Sequence, residues 1–169
     1  MYKLIIAVDQ NNGISKNGKL SWNLKTDLKR FRELTMNQNV IMGSKTFESI
    51  LLALNKPLPS RTNIILTRDI YYNLKYKEHS FKTVNSIEEC LRDHKSGWII
   101  GGKEIYEQFL PYCNEVYLTR IFKDYNCDLT CKLDLNDFYI NSMLHSRELV
   151  KNNIGSEFVE FDFVNYKRI

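Results

Sequence analysis

The sequence has no run of lysine or arginine, no Cys-x2-Cys pair, no internal repeat and no low-complexity tract. Its N-terminal apolar run, Leu4 to Val8, is far too short for a signal peptide or a membrane span. Each absence removes a class of protein. Without a basic stripe, the net charge of +4 does not point to nucleic acid and suits an anionic small ligand at least as well. Cys90, Cys113, Cys127 and Cys131 lie apart from His79, His94 and His145, so four reduced thiols and no structural metal are expected. A Gly-x-Gly-x-x-Gly after the first strand and a Walker sequence are also missing, which excludes the usual nucleotide fingerprints. A cytoplasmic protein with no membrane contact is the expectation.

What is present reads as one domain over residues 1–169, long enough to bury a proper core. Strands are expected at residues 3–9, 39–43, 62–67, 81–84, 98–100 and 115–121. Helices alternate with them at residues 24–35, 44–54, 87–92 and 103–110. Ser86-Ile87-Glu88-Glu89 is a capping box, and Pro111 should stop the helix before it. Residues 9–22 read as a long loop, a length often functional. Residues 142–150 and 157–166 alternate in the manner of strands about a turn near Gly155. This order predicts an α/β domain: a central mixed, mostly parallel sheet with helices on both faces and a C-terminal antiparallel hairpin.

Two features suggest chemistry. In the helix from residue 24, Leu28, Phe31 and Leu34 recur at helical spacing and should form a buried face. Asp27, one turn before Phe31, projects from that face. A carboxylate there needs a partner, or else it is an ordinary first-turn Asp held toward water. Secondly, three strand ends carry small residues, hydroxyls and cations: Gly43-Ser44-Lys45-Thr46, Thr67-Arg68 and Gly101-Gly102-Lys103. A glycine at one strand end is usually turn chemistry. Three such junctions favour a phosphate-rich ligand such as a dinucleotide.

These residues fall into a familiar set. Ala7-Val8-Asp9, Gly13-Ile14, Asn17-Gly18-Lys19-Leu20-Ser21-Trp22, Asp27, the run from Val40 to Ile50, Pro57-Leu58-Pro59-Ser60-Arg61, Ile99-Ile100-Gly101-Gly102 and the run from Ile105 to Pro111 together resemble dihydrofolate reductase. The order matches along nearly the whole chain. The resemblance implies NADPH-dependent reduction of 7,8-dihydrofolate, hydride going to C6 and a proton to N5. It implies Asp27, Trp22 and Thr119 as the catalytic group, with Asp27 holding the pteridine N3 and 2-amino group. Ile5, Leu28, Phe31, Ile50, Leu58 and Ile100 would wall the substrate, and Arg61 would pair with the carboxylate of its glutamate tail. Ala7, Ile14, Asn17, Gly18, Leu20, Gly43, Ser44, Lys45, Thr46, Leu66, Thr67, Arg68, Ile100, Gly101, Gly102, Lys103, Glu104, Ile105 and Tyr106 would contact NADPH. Within that set, Lys45 and Arg68 would meet its 2′-phosphate. The resemblance further implies a cis Gly101–Gly102 peptide, antifolate binding and a monomer.

Some positions depart from the family pattern. Ser21 stands where Pro is usual, Ser15 where Gly is common, and Lys103 where a small residue is frequent. Cys127-Asp128-Leu129-Thr130-Cys131 replaces Asp-Thr-x-Phe-Pro, with Asp128 as the counterpart of the loop-latching Asp. A related NADPH-dependent reductase of another pteridine or pyrimidine is the alternative reading. A non-enzymatic folate-, nucleotide- or RNA-binding module is a more distant one.

Overall fold

The computed structural model describes residues 1–169 throughout. The chain opens on β1 (Tyr2–Val8) and passes through β2 (Gly13–Ser15) into α1 (Lys25–Thr35). β3 (Asn39–Gly43) leads to α2 (Ser44–Leu54), β4 (Thr62–Leu66) to α3 (Tyr72–Lys75), and β5 (Lys82–Val84) to α4 (Ile87–Asp93). β6 (Gly97–Gly101) then runs into α5 (Lys103–Phe109), a 3-10 turn at Leu110–Tyr112, and β7 (Cys113–Ile121). A two-residue β8 (Leu129–Thr130) precedes the terminal hairpin of β9 (Phe138–Asn152) and β10 (Gly155–Arg168).

Eight strands make one sheet in the order β5-β4-β3-β6-β1-β7-β10-β9. The pairs β1–β6, β3–β6, β3–β4 and β4–β5 are parallel, whereas β10 is antiparallel to both β7 and β9. The mixed sheet with its antiparallel hairpin is the architecture that the alternation of elements predicts. Beyond that prediction, the hairpin is longer at both ends, α3 is an added single turn, and β2 pairs with β8. Residues 9–22 are therefore not a bare loop.

The chain divides into two compact units. One comprises Met1–Leu4 and Thr35–Asn114, the other Ile5–Leu34 and Glu115–Ile169. In the first, Val40, Ile41, Met42, Ile64, Ile65 and Ile99 have no exposed surface. Parallel strands covered on both faces explain why their sequences are unbroken apolar runs. In the second, Trp22, Leu24, Ile121, Val159, Phe161 and Phe163 pack as one cluster.

Local signals act as their chemistry requires. Ser86 Oγ accepts from Glu89 N at 3.0 Å. The Glu89 carboxylate takes the N–H of Asn85 at 2.7 Å, one residue before the position that a strict capping box would use. Asn55 closes α2 in the left-handed region, at φ 57°, its N–H returning to Leu51 O. Five of the six non-glycine residues with positive φ are asparagines, which tolerate it; the sixth is Ser60 at φ 58°. Ser60→Gly should therefore raise stability by up to about 1 kcal/mol, since left-handed backbone costs an L-residue more than glycine loses in chain entropy. Denaturant midpoints of the two proteins measure this, and an unmoved midpoint would place no strain at Ser60.

Candidate active site

In the second unit the site starts from the first turn of α1. Leu24 accepts the first helical bond, from Leu28 N at 3.0 Å, but its apolar side chain cannot cap the turn. A distant carboxylate does so instead. Glu148 of β9 accepts from Lys25 N at 2.7 Å, Thr26 N at 2.8 Å and Thr26 Oγ1 at 2.6 Å. Burial alone would raise the Glu148 carboxyl, but these three donors outweigh it and leave it below the ordinary carboxylate range.

Asp27 follows on the same turn, where Thr119 Oγ1 of β7 donates to its Oδ1 at 2.6 Å. Desolvation raises the Asp27 pKa; the Thr119 hydrogen bond and the Arg30 charge oppose the shift, and Glu148 adds to it. The partner that a carboxylate in this position requires is thus a hydroxyl on a buried strand, Thr119 being 1% exposed.

The buried face expected for this helix is corrected by the structure. Leu28 is 47% exposed, Phe31 and Leu34 are half-buried, and Thr35 alone is buried. The apolar stripe of α1 is thus part surface, most of all at Leu28, rather than core. Ile5, by contrast, is buried. Trp22 is packed against Leu24, Phe161 and Phe163, its ring 5.3 Å from that of Tyr125, and its buried Nε1 has no hydrogen-bond partner in the protein.

Residues 9–22 are pinned on one side. The buried Asp9 carboxylate accepts from Asn11 N at 2.9 Å, Gly13 N at 2.7 Å and Tyr125 N at 3.1 Å. Burial pushes its pKa up, yet these backbone donors prevail and it lies below the usual value. Asn17 N donates to Asp128 Oδ2 at 2.8 Å, so Asp128 does latch this segment despite the changed sequence around it. Gly13 allows the approach: a Cβ there would sit 2.5 Å from Cys127 Cβ. Of the expected cofactor residues in this unit, Ile14, Asn17, Gly18 and Leu20 lie on this segment, and Ala7 packs against the Trp22 cluster.

The first unit gathers the three strand ends. β4, β3 and β6 are parallel neighbours, so Thr67-Arg68, Gly43-Ser44 and Gly101-Gly102 leave the sheet at one edge. Gly43 is the N-cap of α2 and supplies no side-chain cap for the first-turn N–H groups of that helix. A cavity of about 590 Å³ opens there, lined by Ser44, Leu66, Thr67, Arg68, Glu104 and Ile105. Asp69, Asn85, Ser86, Ile87, Glu88 and Gln108 complete it. The sequence reading missed those six. The signal for two of them was available, because β5 ends beside β4, and Asn85 Nδ2 donates to Thr67 O at 2.9 Å.

Gly43, Lys45, Thr46, Gly101, Gly102, Lys103 and Tyr106 are not on that lining. Gly101–Gly102 is cis, as the resemblance implied, and Tyr106 Oη donates to Ile100 O at 2.8 Å. At φ +121°, Gly101 also faces the Tyr106 ring, 3.2 Å from where its Cβ would be. Lys103 reaches along its own helix to Glu107 at 3.9 Å. The expected substrate-side residues of this unit are the buried Leu58, the half-buried Ile50 and Ile100, and Arg61. Arg61 Nε donates to Pro59 O at 2.8 Å and Nη1 to Thr35 Oγ1 at 3.2 Å, which fixes its guanidinium plane.

Compared with known proteins, residues 1–168 match the family model described as dihydrofolate reductase. The chain belongs to the dihydrofolate reductase family. A dihydrofolate reductase of Ureaplasma parvum is 40% identical over 144 residues, which cover 83% of this chain and 88% of the relative. One of Mycoplasma pneumoniae is 33% identical over 175 residues, covering 100% of this chain and 99% of the other. Among solved structures, Enterococcus faecalis dihydrofolate reductase complexed with NADP(H) and RAB-propyl superposes with a TM-score of 0.81 at 28% identity, covering 99% of this chain and 96% of that one. As a dihydrofolate reductase, the chain is an NADPH-dependent oxidoreductase that reduces dihydrofolate. None of its helices is long and apolar enough to cross a membrane.

Proposed function

We propose that Asp27 is the group that holds the pteridine and supplies its proton, and that Thr119 keeps it in place for both tasks. The observation that carries this is the 2.6 Å hydrogen bond between them on a helix turn whose apolar neighbours are open to a ligand. When ionised, Asp27 accepts from the N3 and 2-amino donors of the pteridine in a bidentate pair. When protonated, it is an acid whose raised pKa keeps it available closer to neutral pH, for delivery toward N5. The Trp22 indole N–H is a buried donor on the same unit and serves that proton path. Ile5, Leu28 and Phe31, in the same unit as Asp27, exclude water from the ring system.

The residues present suit a phosphorylated dinucleotide: an uncapped helix N-terminus, a cavity of the right size and two exposed cations, Lys45 and Arg68. Those cations, Ser44, Thr46 and Thr67 would hold its phosphates. NADPH, when bound, supplies the hydride that C6 receives. The segment from Ile14 to Leu20 is steadied by Asp9 and Asp128. We place all of this in one catalytic domain over residues 1–169, acting as a cytoplasmic monomer that also binds antifolates.

Absorbance at 340 nm with NADPH, with and without dihydrofolate and then with NADH, tests the reading. Dihydrofolate-dependent loss that is faster with NADPH supports it, and loss independent of dihydrofolate would replace it with another reductase or an oxidase. Arg61→Ala should raise KM about 10- to 100-fold for substrates bearing the glutamate tail, the worth of a charge-assisted pair. Pterins without the tail should be nearly unaffected. Equal losses for both would make Arg61 a structural residue.

A further inference from the structure

Three residues beyond Asp27, Arg30 occupies a place where a helix surface would normally turn to water. It is only half-exposed. Its guanidinium lies 4.3 Å from the centroid of the Phe163 ring and 5.4 Å from that of Tyr117, with Nη1 buried and unpartnered. A cation over two aromatic faces is held in position rather than swinging in solvent.

The register of the sheet brings this stack to the site. Phe163 of β10 pairs with Thr119 of β7, the residue whose hydroxyl holds Asp27. Cross-strand partners project from the same face, and Tyr117, two residues before Thr119, shares it. Asp27 and Arg30, three apart on α1, also share a face. Carboxyl, hydroxyl, guanidinium and both rings therefore occupy one patch of sheet and helix.

We propose that Arg30 is a positioning residue for the reduction, which rests on the reading of Asp27 as proton source: clamped over Phe163 and Tyr117, it fixes a permanent positive charge beside Asp27 and sets the pH at which that carboxyl gives up its proton. Around Asp27, α1 contributes the Arg30 charge, β9 the Glu148 carboxylate, and β7 the Thr119 hydroxyl. At the guanidinium, β7 adds the Tyr117 phenol, itself bonded to Glu115 at 2.9 Å, and β10 only the uncharged ring of Phe163. Arg30 and Glu148 act in opposite senses, Arg30 favouring the ionised carboxyl and Glu148 the protonated one. Arginine does not titrate in the working range, so its bias is constant with pH, and partial burial protects it from salt.

The test is direct titration of Asp27 by carbon NMR in protein labelled at the Asp carboxyls, with Asp27→Asn giving the assignment, beside the pH profile of kcat/KM. Arg30→Met keeps a long side chain over Phe163 and removes the charge. It should move the Asp27 titration upward by roughly half to one pH unit, about a 3- to 10-fold larger protonated fraction on the alkaline side. The kinetic inflection should move with it. Arg30→Lys should restore most of the wild-type value, and Glu148→Gln should move both readings downward. An unmoved Asp27 titration in Arg30→Met, with kcat/KM lowered evenly at every pH, would overturn the proposal and make Arg30 packing alone. A moved NMR titration with an unmoved kinetic inflection would instead sink Asp27 as the kinetic acid and leave the charge coupling standing. Should Arg30→Met fail to fold, Arg30→Gln with the same titration decides between these outcomes.

Discussion

Asp27→Asn is expected to lower kcat at neutral pH by roughly 10²- to 10⁴-fold, the usual worth of a positioned acid. Binding of dihydrofolate should weaken far less. The amide keeps the shape of the carboxyl and an Oδ1 that can accept from Thr119, so the local packing has no reason to change. The pH dependence should differ in kind as well as in size. In the wild type, Asp27 is raised by desolvation, so its protonated form persists to higher pH than that of an ordinary carboxyl, and turnover falls as pH rises through that raised value. The variant has no such group, and its rate should climb steadily toward acid as solvent protons take over. Steady-state rates across pH, with KM and kcat separated, read both effects. Near-normal turnover at neutral pH would remove Asp27 from the proton path.

The second large effect concerns the cofactor. Lys45→Gln combined with Arg68→Ser should raise the KM for NADPH by about 10²-fold or more, since each charge-assisted contact is worth roughly 1.5–3 kcal/mol. NADH, which lacks the 2′-phosphate, should be almost unaffected, so the preference between cofactors should collapse. The setting sharpens the expectation. Asp69, Glu88 and Glu104 line the cavity that Arg68 lines, and without that cation their carboxylates would face a phosphate dianion unopposed. The ratio of kcat/KM for the two cofactors is the measurement. Equal loss for both would move the two cations to the pyrophosphate.

Where an element forms from its own residues, the sequence announced it. Asn39 to Gly43 is an apolar run bounded by turn formers and is the strand β3; α2 starts and stops where Gly43 and Asn55 indicate. Asp27 was legible because a carboxylate at helical spacing from Phe31 demands a partner. Its partner was legible through the resemblance alone, since Thr119 is 92 residues away and β-branched residues are common in strands. The same limit hid Glu148, which caps α1 from 122 residues distant, and the β2–β8 pair, whose five residues carry no pattern of their own. Leu28 shows a different limit. Helical periodicity reports an apolar face without saying what covers it, so a partly exposed stripe reads as core. Arg30 combines both, because its aromatic supports come from β7 and β10, two strands far from it in sequence.

The two compact units interleave along the chain, and this fixes an order of completion during synthesis. All segments of the unit bearing the strand-end cavity, Met1–Leu4 and Thr35–Asn114, have been made once Asn114 is added. The unit bearing Asp27 holds its first segment by residue 34 but waits for Glu115–Ile169. Thr119, Glu148 and Phe163 all lie in Glu115–Ile169, so until that segment is made Asp27 lacks its hydroxyl partner, α1 its cap and Arg30 the ring beneath it. Contacts of such long sequence separation are slow to form. The nascent chain thus holds every segment of the first unit before the second can assemble around Asp27.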